Sequence, residues 1–253
     1  MNNDHEMCWS GPASLSVATI GVSGSLWARA KGAPRERWLT LLYFTGMELL
    51  QAITYSVINM CHLQSNVWLT RISYIHIAFQ PFFVNIFGMT FIPEGRKAWA
   101  RKYVYVVCSV AAMMMLYKFY VPDPSMACNS GTEFLCGQDT CSYHGEWHIA
   151  WRLYMNSFDE MHLAYWVSAF LLPILYGSWR WSVYHFVVGP LAASMMTSNK
   201  DEMPAIWCLT SIGFLITTHI GPLERWLETP KRLGHDFVLD LGVAADSVNT
   251  ASR

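Results

Sequence analysis

The feature that most constrains this chain is a series of apolar stretches, most of them near twenty residues long, joined by connections in which basic residues alternate. About 20 mostly apolar residues in a helix cross roughly 30 Å of hydrocarbon. Seven stretches suit that length, at about 11–30, 38–58, 67–92, 102–121, 158–179, 182–197 and 204–223. The sixth is short and holds Pro190. The first is rich in small residues (Ser14, Ser16, Gly21, Ser23, Gly24, Ser25), which let helix backbones approach closely. Charge is scarce: Asp, Glu, Lys and Arg make up 14% of the chain, against about 25% in an average soluble domain. The many Trp and Tyr suit a bilayer interface, where an apolar ring carries a polar tip.

The loops add a direction. Arg29, Lys31, Arg35 and Arg37 flank the first connection, Arg96, Lys97, Arg101 and Lys102 the third, Arg180 the fifth, and Arg225, Lys231 and Arg232 the tail. The segment from Asn59 to Asn66 has no Lys or Arg, 122–149 has none, and the sixth connection has only Lys200. By the positive-inside rule this predicts an all-α, polytopic membrane protein. It would be a seven-transmembrane-helix bundle in a plasma or inner membrane, N-terminus outside and C-terminus cytoplasmic. A single domain is expected over 1–238, with an outer loop at 122–157 and a disordered polar tail at 239–253. The first ten residues carry Asp4 and Glu6 but no Lys or Arg. They lack the basic start of a signal peptide, so the first stretch is expected to be retained. A net charge of −1 gives nucleic acid nothing to bind; the expected partners are the lipid bilayer and a small-molecule or lipid ligand.

Cys8, Cys61, Cys128, Cys136 and Cys141 all fall on the predicted outer side and are disulfide candidates. Five cysteines leave one over, and the pairing is open. Zinc is less favoured there, since no CxxC pair exists.

Ionisable groups inside apolar helices need a partner or a task. Glu48, Gln51, Tyr55 and His62 follow one another at spacings of three, four and seven, which puts them on one helix face. His76 and Gln80, four apart, share a face of the next helix, and Pro81 is expected to kink it. A ligand or proton site is therefore expected at Glu48, Gln51, Tyr55, His76 and Gln80. A carboxylate and imidazoles also suit zinc or iron, with Glu48, His76, His162 and Asp159 as ligands. The plainer alternative is that Glu48 with His76 or Gln80 is a satisfied hydrogen-bond pair. His144 and His148 read as a solvated loop face. His185 and His219 read as helix-end residues able to approach each other.

The segment Met47-Glu48-Leu49-Leu50-Gln51, followed by Cys61 and then His76-Ile77-Ala78-Phe79-Gln80-Pro81-Phe82-Phe83-Val84-Asn85, resembles a family of uncharacterised seven-helix membrane proteins of bacteria, algae and large viruses. The resemblance implies a seven-helix fold and supplies no activity. Rhodopsin-like proteins fit less well, because the last apolar stretch has no Lys for a retinal Schiff base. The alkaline ceramidase and progestin-receptor superfamily also fits less well. Ser56 and His62 match its pattern, but the third stretch carries His76 in place of an Asp, and the last holds the single His219.

Three functions are expected from these residues. The first is a non-enzymatic sensor, receptor or small-molecule or proton-handling carrier. The second is a membrane-embedded, metal-dependent hydrolase or oxidase acting on a lipid-like substrate. The third is a structural membrane subunit.

Overall fold

The structure is a computed structural model that describes residues 9–120, 128, 133–156 and 159–228, apart from the side chains at 119–120, 159–162 and 214. Cys8 and the tail at 239–253 lie outside the described residues.

Helix α1 (Gly11–Ala30) starts where the Ser10 hydroxyl accepts from the Ala13 N–H at 3.4 Å, with Pro12 in the first turn where its missing N–H is not needed. Its buried residues are Ser14, Ala18, Gly21, Ser25 and Ala28, a stripe of small side chains at alternating spacings of four and three. Helix α2 (Arg35–Thr54) lies along that stripe. A Cβ on Gly21 would collide with Thr45, and the Ser25 hydroxyl donates to the Trp38 carbonyl at 2.9 Å. The expected close approach of the first helix is therefore present. Its large residues Leu15, Ile20, Leu26 and Trp27 face outward and are exposed.

Helix α3 (Gln64–Gly88) continues through Pro81 as one helix. Asn85 Nδ2 donates to the Pro81 carbonyl at 2.7 Å and to the Ser168 carbonyl at 2.8 Å, tying α3 to a later segment. Helix α4 (Glu94–Tyr120) follows. After a β-hairpin come α5 (Asp159–Trp166), a π-helical segment (Val167–Leu171) and α6 (Leu172–Leu175). Beyond a turn at Gly177, where φ is +99°, lie α7 (Trp179–Phe186), a second π-helical segment (Val187–Leu191) and α8 (Ala192–Met196). Both wide turns sit at prolines. Pro173 cannot donate back to Ala169, nor Pro190 to Phe186, and the backbone widens there instead of breaking. Helices α9 (Met203–Thr217) and α10 (Gly221–Leu227) complete the described chain.

The expectation of a seven-span, multi-pass bundle is overturned. Among the described residues one helix, Gln64–Phe91, is long and apolar enough to cross a membrane; Met203–Thr217 with Gly221–Leu227 would add a second span only as a pair bent by 102°. The other stretches fail for physical reasons. Serine and glycine dilute α1, Arg35, Glu36 and Arg37 open α2, and Glu94, Arg96, Lys97, Arg101 and Lys102 fill the start of α4. The fifth and sixth stretches are broken into Leu163–Leu175 and shorter pieces.

The segment expected as an outer loop is also more ordered than its sequence suggested. Strands β1 (Cys141–His144) and β2 (Ile149–Arg152) pair antiparallel, with Cys141 opposite Arg152 and His144 opposite Ile149. Asn66 at the start of α3 grips this hairpin: its Oδ1 accepts from the Ser142 N–H and its Nδ2 donates to the Ser142 carbonyl, both at 2.9 Å. Ile149, Trp151 and Leu153 of the hairpin arm share one apolar core with Met47, Tyr74, Ile77, Met115 and Trp207. A second core joins Leu41, Phe44, Phe87, Trp181 and Leu215.

A buried polar face and an adjoining cavity

The α2 spacing places Glu48 and Gln51 one turn apart on its inward face, and both are fully buried. Neither oxygen of Glu48 and neither polar atom of the Gln51 amide has a hydrogen-bond partner. The Ser14 hydroxyl approaches Glu48 from α1 without closing a regular hydrogen bond, and itself accepts from Trp9 Nε1 at 2.9 Å. The Cys208 thiol of α9 and the Tyr55 hydroxyl lie within electrostatic reach of the Glu48 carboxyl. An unpaired charge buried here carries a heavy desolvation penalty. Glu48 is therefore held as the neutral acid, or its charge meets a bound cation.

Tyr55, in the 3-10 turn that prolongs α2, carries the polar face outward. Its hydroxyl stands 2.7 Å from Nδ1 of His148. His148 is buried, with the Trp9 ring 5.5 Å away, and its Nε2 has no partner. Burial pushes its imidazole down to about 3, so it is neutral at ordinary pH. Glu202 positions it: that carboxylate accepts from the backbone N–H groups of Glu146 at 3.0 Å, Trp147 at 2.6 Å and His148, and from the Thr197 hydroxyl at 2.7 Å. The expectation of a solvated His144/His148 face is thus corrected, since only His144 is exposed. His62 is corrected too. Helix α2 ends at Thr54, and His62 lies beyond it, exposed.

His76 does not join Glu48. Its Nε2 donates to the Tyr43 carbonyl at 2.9 Å and its ring stacks on Tyr43 at 3.9 Å, whereas neither Glu48 oxygen has any partner. The expected metal set is not assembled among the described residues. The three-ligand grouping found there is Cys61, Asp139 and Cys141, and those two cysteines are bonded to each other. The side chains of Asp159 and His162 lie outside the described residues. His185 and His219 do not meet: His185 Nε2 accepts from Trp207 Nε1 at 3.2 Å, while His219 stands edge-on to Trp27 at 6.0 Å.

Gln80 has partners of its own. Its Oε1 accepts from the Tyr165 hydroxyl at 2.7 Å and its Nε2 donates to the Cys208 sulfur at 3.0 Å. It stands at the floor of a cavity of about 230 Å³, lined mainly by apolar and aromatic side chains.

The cysteine expectation resolves into Cys61–Cys141, which ties the α2–α3 connection to the hairpin, and Cys128–Cys136. Sequence reading missed Glu202, Cys208 and Ser14. Glu202 is 54 residues from the loop it clamps, and no local pattern could signal that. In the sequence Ser14 is one small residue among several, and only the fold shows that it approaches Glu48.

Residues 12–228 match the family described as a family of unknown function, DUF5765, and the chain belongs to that family. The description gives neither an activity nor a number of membrane helices. No curated protein and no solved structure matches the chain.

Proposed function

We propose that this protein is a non-enzymatic sensor or carrier that handles a proton or a small cation at Glu48. The observation that carries the reading is the pair Glu48 and Gln51: four buried polar atoms on one helix face, none with a partner. Leaving a buried polar group unpaired costs about 1–3 kcal/mol. A face that keeps both side chains is suited to something that comes and goes. Tyr55 and His148 extend it toward the hairpin, with the unpartnered His148 Nε2 as the last polar atom in line. A metal-dependent enzyme is less well supported, because Glu48 and His76 face different surroundings.

A lipid membrane is the setting we favour. Large apolar side chains are exposed on several helices, including Ile20 and Leu26 on α1 and Val106 and Met113 on α4. Such surfaces mark membrane or protein contacts. The two disulfides favour an oxidising compartment for the hairpin end.

Infrared difference spectroscopy tests the site. At neutral pH a protonated-carboxyl band is expected, and it should be absent from a folded Glu48→Gln variant. If the band is missing from the parent, sodium or ammonium titration should perturb the carboxylate bands of the parent and leave the variant unchanged. A parent with neither response would overturn the reading.

A further inference from the structure

We infer that the cavity above Gln80 is a binding site for an uncharged, compact, apolar molecule that carries one hydrogen-bonding group. It is distinct from the Glu48 face and does not rest on the function proposed there.

The cavity lies against the second π-helical segment and the residue that precedes the first. Trp166 stands immediately before the first, and Pro190 and Leu191 belong to the second. Such wide turns recur at functional sites because they displace the helix wall. Here Pro190 enforces the second one, and Gly189 lets the Trp207 indole press against that segment; a Cβ on Gly189 would sit 2.5 Å from Trp207 Nε1. The mouth is at Leu191 and Ser194, both exposed.

The lining selects the ligand. No Asp, Glu, Lys, Arg or His lines the cavity. A charged ligand would lose its hydration without gaining a counter-charge. Water would find few of the two to four partners it needs. Besides the Tyr165 oxygen and the Trp166 indole N–H, the hydrogen-bonding capacity that remains lies at a buried end and an exposed end. At the floor, Gln80 Nε2 uses one hydrogen on Cys208, which leaves its second N–H as a donor. At the mouth, Ser194 donates to the Leu191 carbonyl at 2.8 Å, which leaves its oxygen as an acceptor. A dry cavity of about 150 Å³ takes benzene; this one, at about 230 Å³, suits a two-ring molecule.

The test titrates the purified full chain with naphthalene and with 1-naphthol, following tryptophan fluorescence, since Trp166 and Trp207 line the cavity. Saturable quenching is expected with both probes, and the tighter binding with 1-naphthol. Gln80→Leu should weaken 1-naphthol about fivefold, the effect of about one neutral hydrogen bond, and leave naphthalene unchanged. Leu191→Trp fills the mouth and should abolish both. If it fails to fold, Ser194→Phe is expected to do the same. Glu48→Gln should leave both titrations unaltered, so this site and the Glu48 site stand or fall separately. Absence of saturation in the parent, or undiminished binding in the folded mouth-filling variant, would overturn the inference.

Discussion

Tyr43 and His76 hold each other by a reciprocal pair of hydrogen bonds: the Tyr43 hydroxyl donates to the His76 carbonyl at 2.5 Å, and His76 Nε2 donates to the Tyr43 carbonyl at 2.9 Å. The rings stack at 3.9 Å, and Phe83 stacks on the other side of Tyr43 at 3.6 Å. The arrangement clamps α2 to α3 and fixes the orientation of the His76 ring. Tyr43→Phe and His76→Ala should each lower the unfolding free energy by about 0.5–1.5 kcal/mol in denaturant unfolding, and because each bond ends on a backbone carbonyl that the other substitution leaves in place, the two losses should nearly add. No loss in either variant would show that the clamp contributes nothing to stability.

The two disulfides should differ in weight. Cys61–Cys141 closes 80 residues and Cys128–Cys136 closes 8. In the chain-entropy account the longer closure stabilises by about 4.5 kcal/mol and the shorter by about 2.5 kcal/mol. The paired replacement Cys61→Ala with Cys141→Ala should therefore lower the unfolding free energy about twice as much as Cys128→Ala with Cys136→Ala. The reverse order would mean that the hairpin is held by Asn66 and the shared core, not by the covalent tie.

Local regularities explain what the sequence made legible. The small-residue stripe of α1 predicted close packing, and Gly21 against Thr45 delivers it. The three-four spacing of Glu48, Gln51 and Tyr55 predicts a common face, on which Glu48 and Gln51 are fully buried and Tyr55 is half-buried. Apolar length, in contrast, overcounts membrane spans, because it passes over the Ser and Gly that dilute α1, the charges that open α2 and α4, and the breaks in the fifth and sixth stretches. Helix depth alone paired His76 with Glu48, but depth does not fix rotation: the bond to the Tyr43 carbonyl turns His76 elsewhere. His148 was read as solvated because nothing within its own segment reveals a carboxylate 54 residues away.

Acid should weaken the fold through His148. Burial holds its folded-state value near 3, below the ordinary 6.5. Below pH 6.5 the unfolded chain takes a proton that the folded chain refuses. The contribution is therefore complete above pH 6.5 and lost as pH falls toward about 3. Between pH 7 and 4.5 the site accounts for about 2.5 kcal/mol of lost stability. Denaturant midpoints at the two pH values check this: His148→Gln should show a smaller acid loss than the parent. An equal loss in both would remove His148 as the cause.

Two glycines should answer oppositely to a methyl group. Gly189→Ala drives a carbon into the Trp207 indole and should cost about 1–3 kcal/mol, with a shift in tryptophan emission. On α2 a Cβ at Gly46 meets nothing within 4 Å, so Gly46→Ala should stabilise by up to about 1 kcal/mol. Thermal melts of both variants decide the matter. A neutral Gly189→Ala would show that the indole has room to retreat.

The unpartnered face of α2 makes a prediction of opposite sign to most core substitutions. Glu48→Met and Gln51→Leu each keep most of the volume and remove polar atoms that have no partner. Truncating a satisfied core group destabilises, but here each replacement should raise stability by about 1–3 kcal/mol. Such a gain, combined with loss of the carboxyl band or of the cation response, is the signature of a site kept at the expense of the fold. A clear loss of stability in both variants would show that Glu48 and Gln51 are satisfied in the folded protein, and that they serve the packing of α1 against α2.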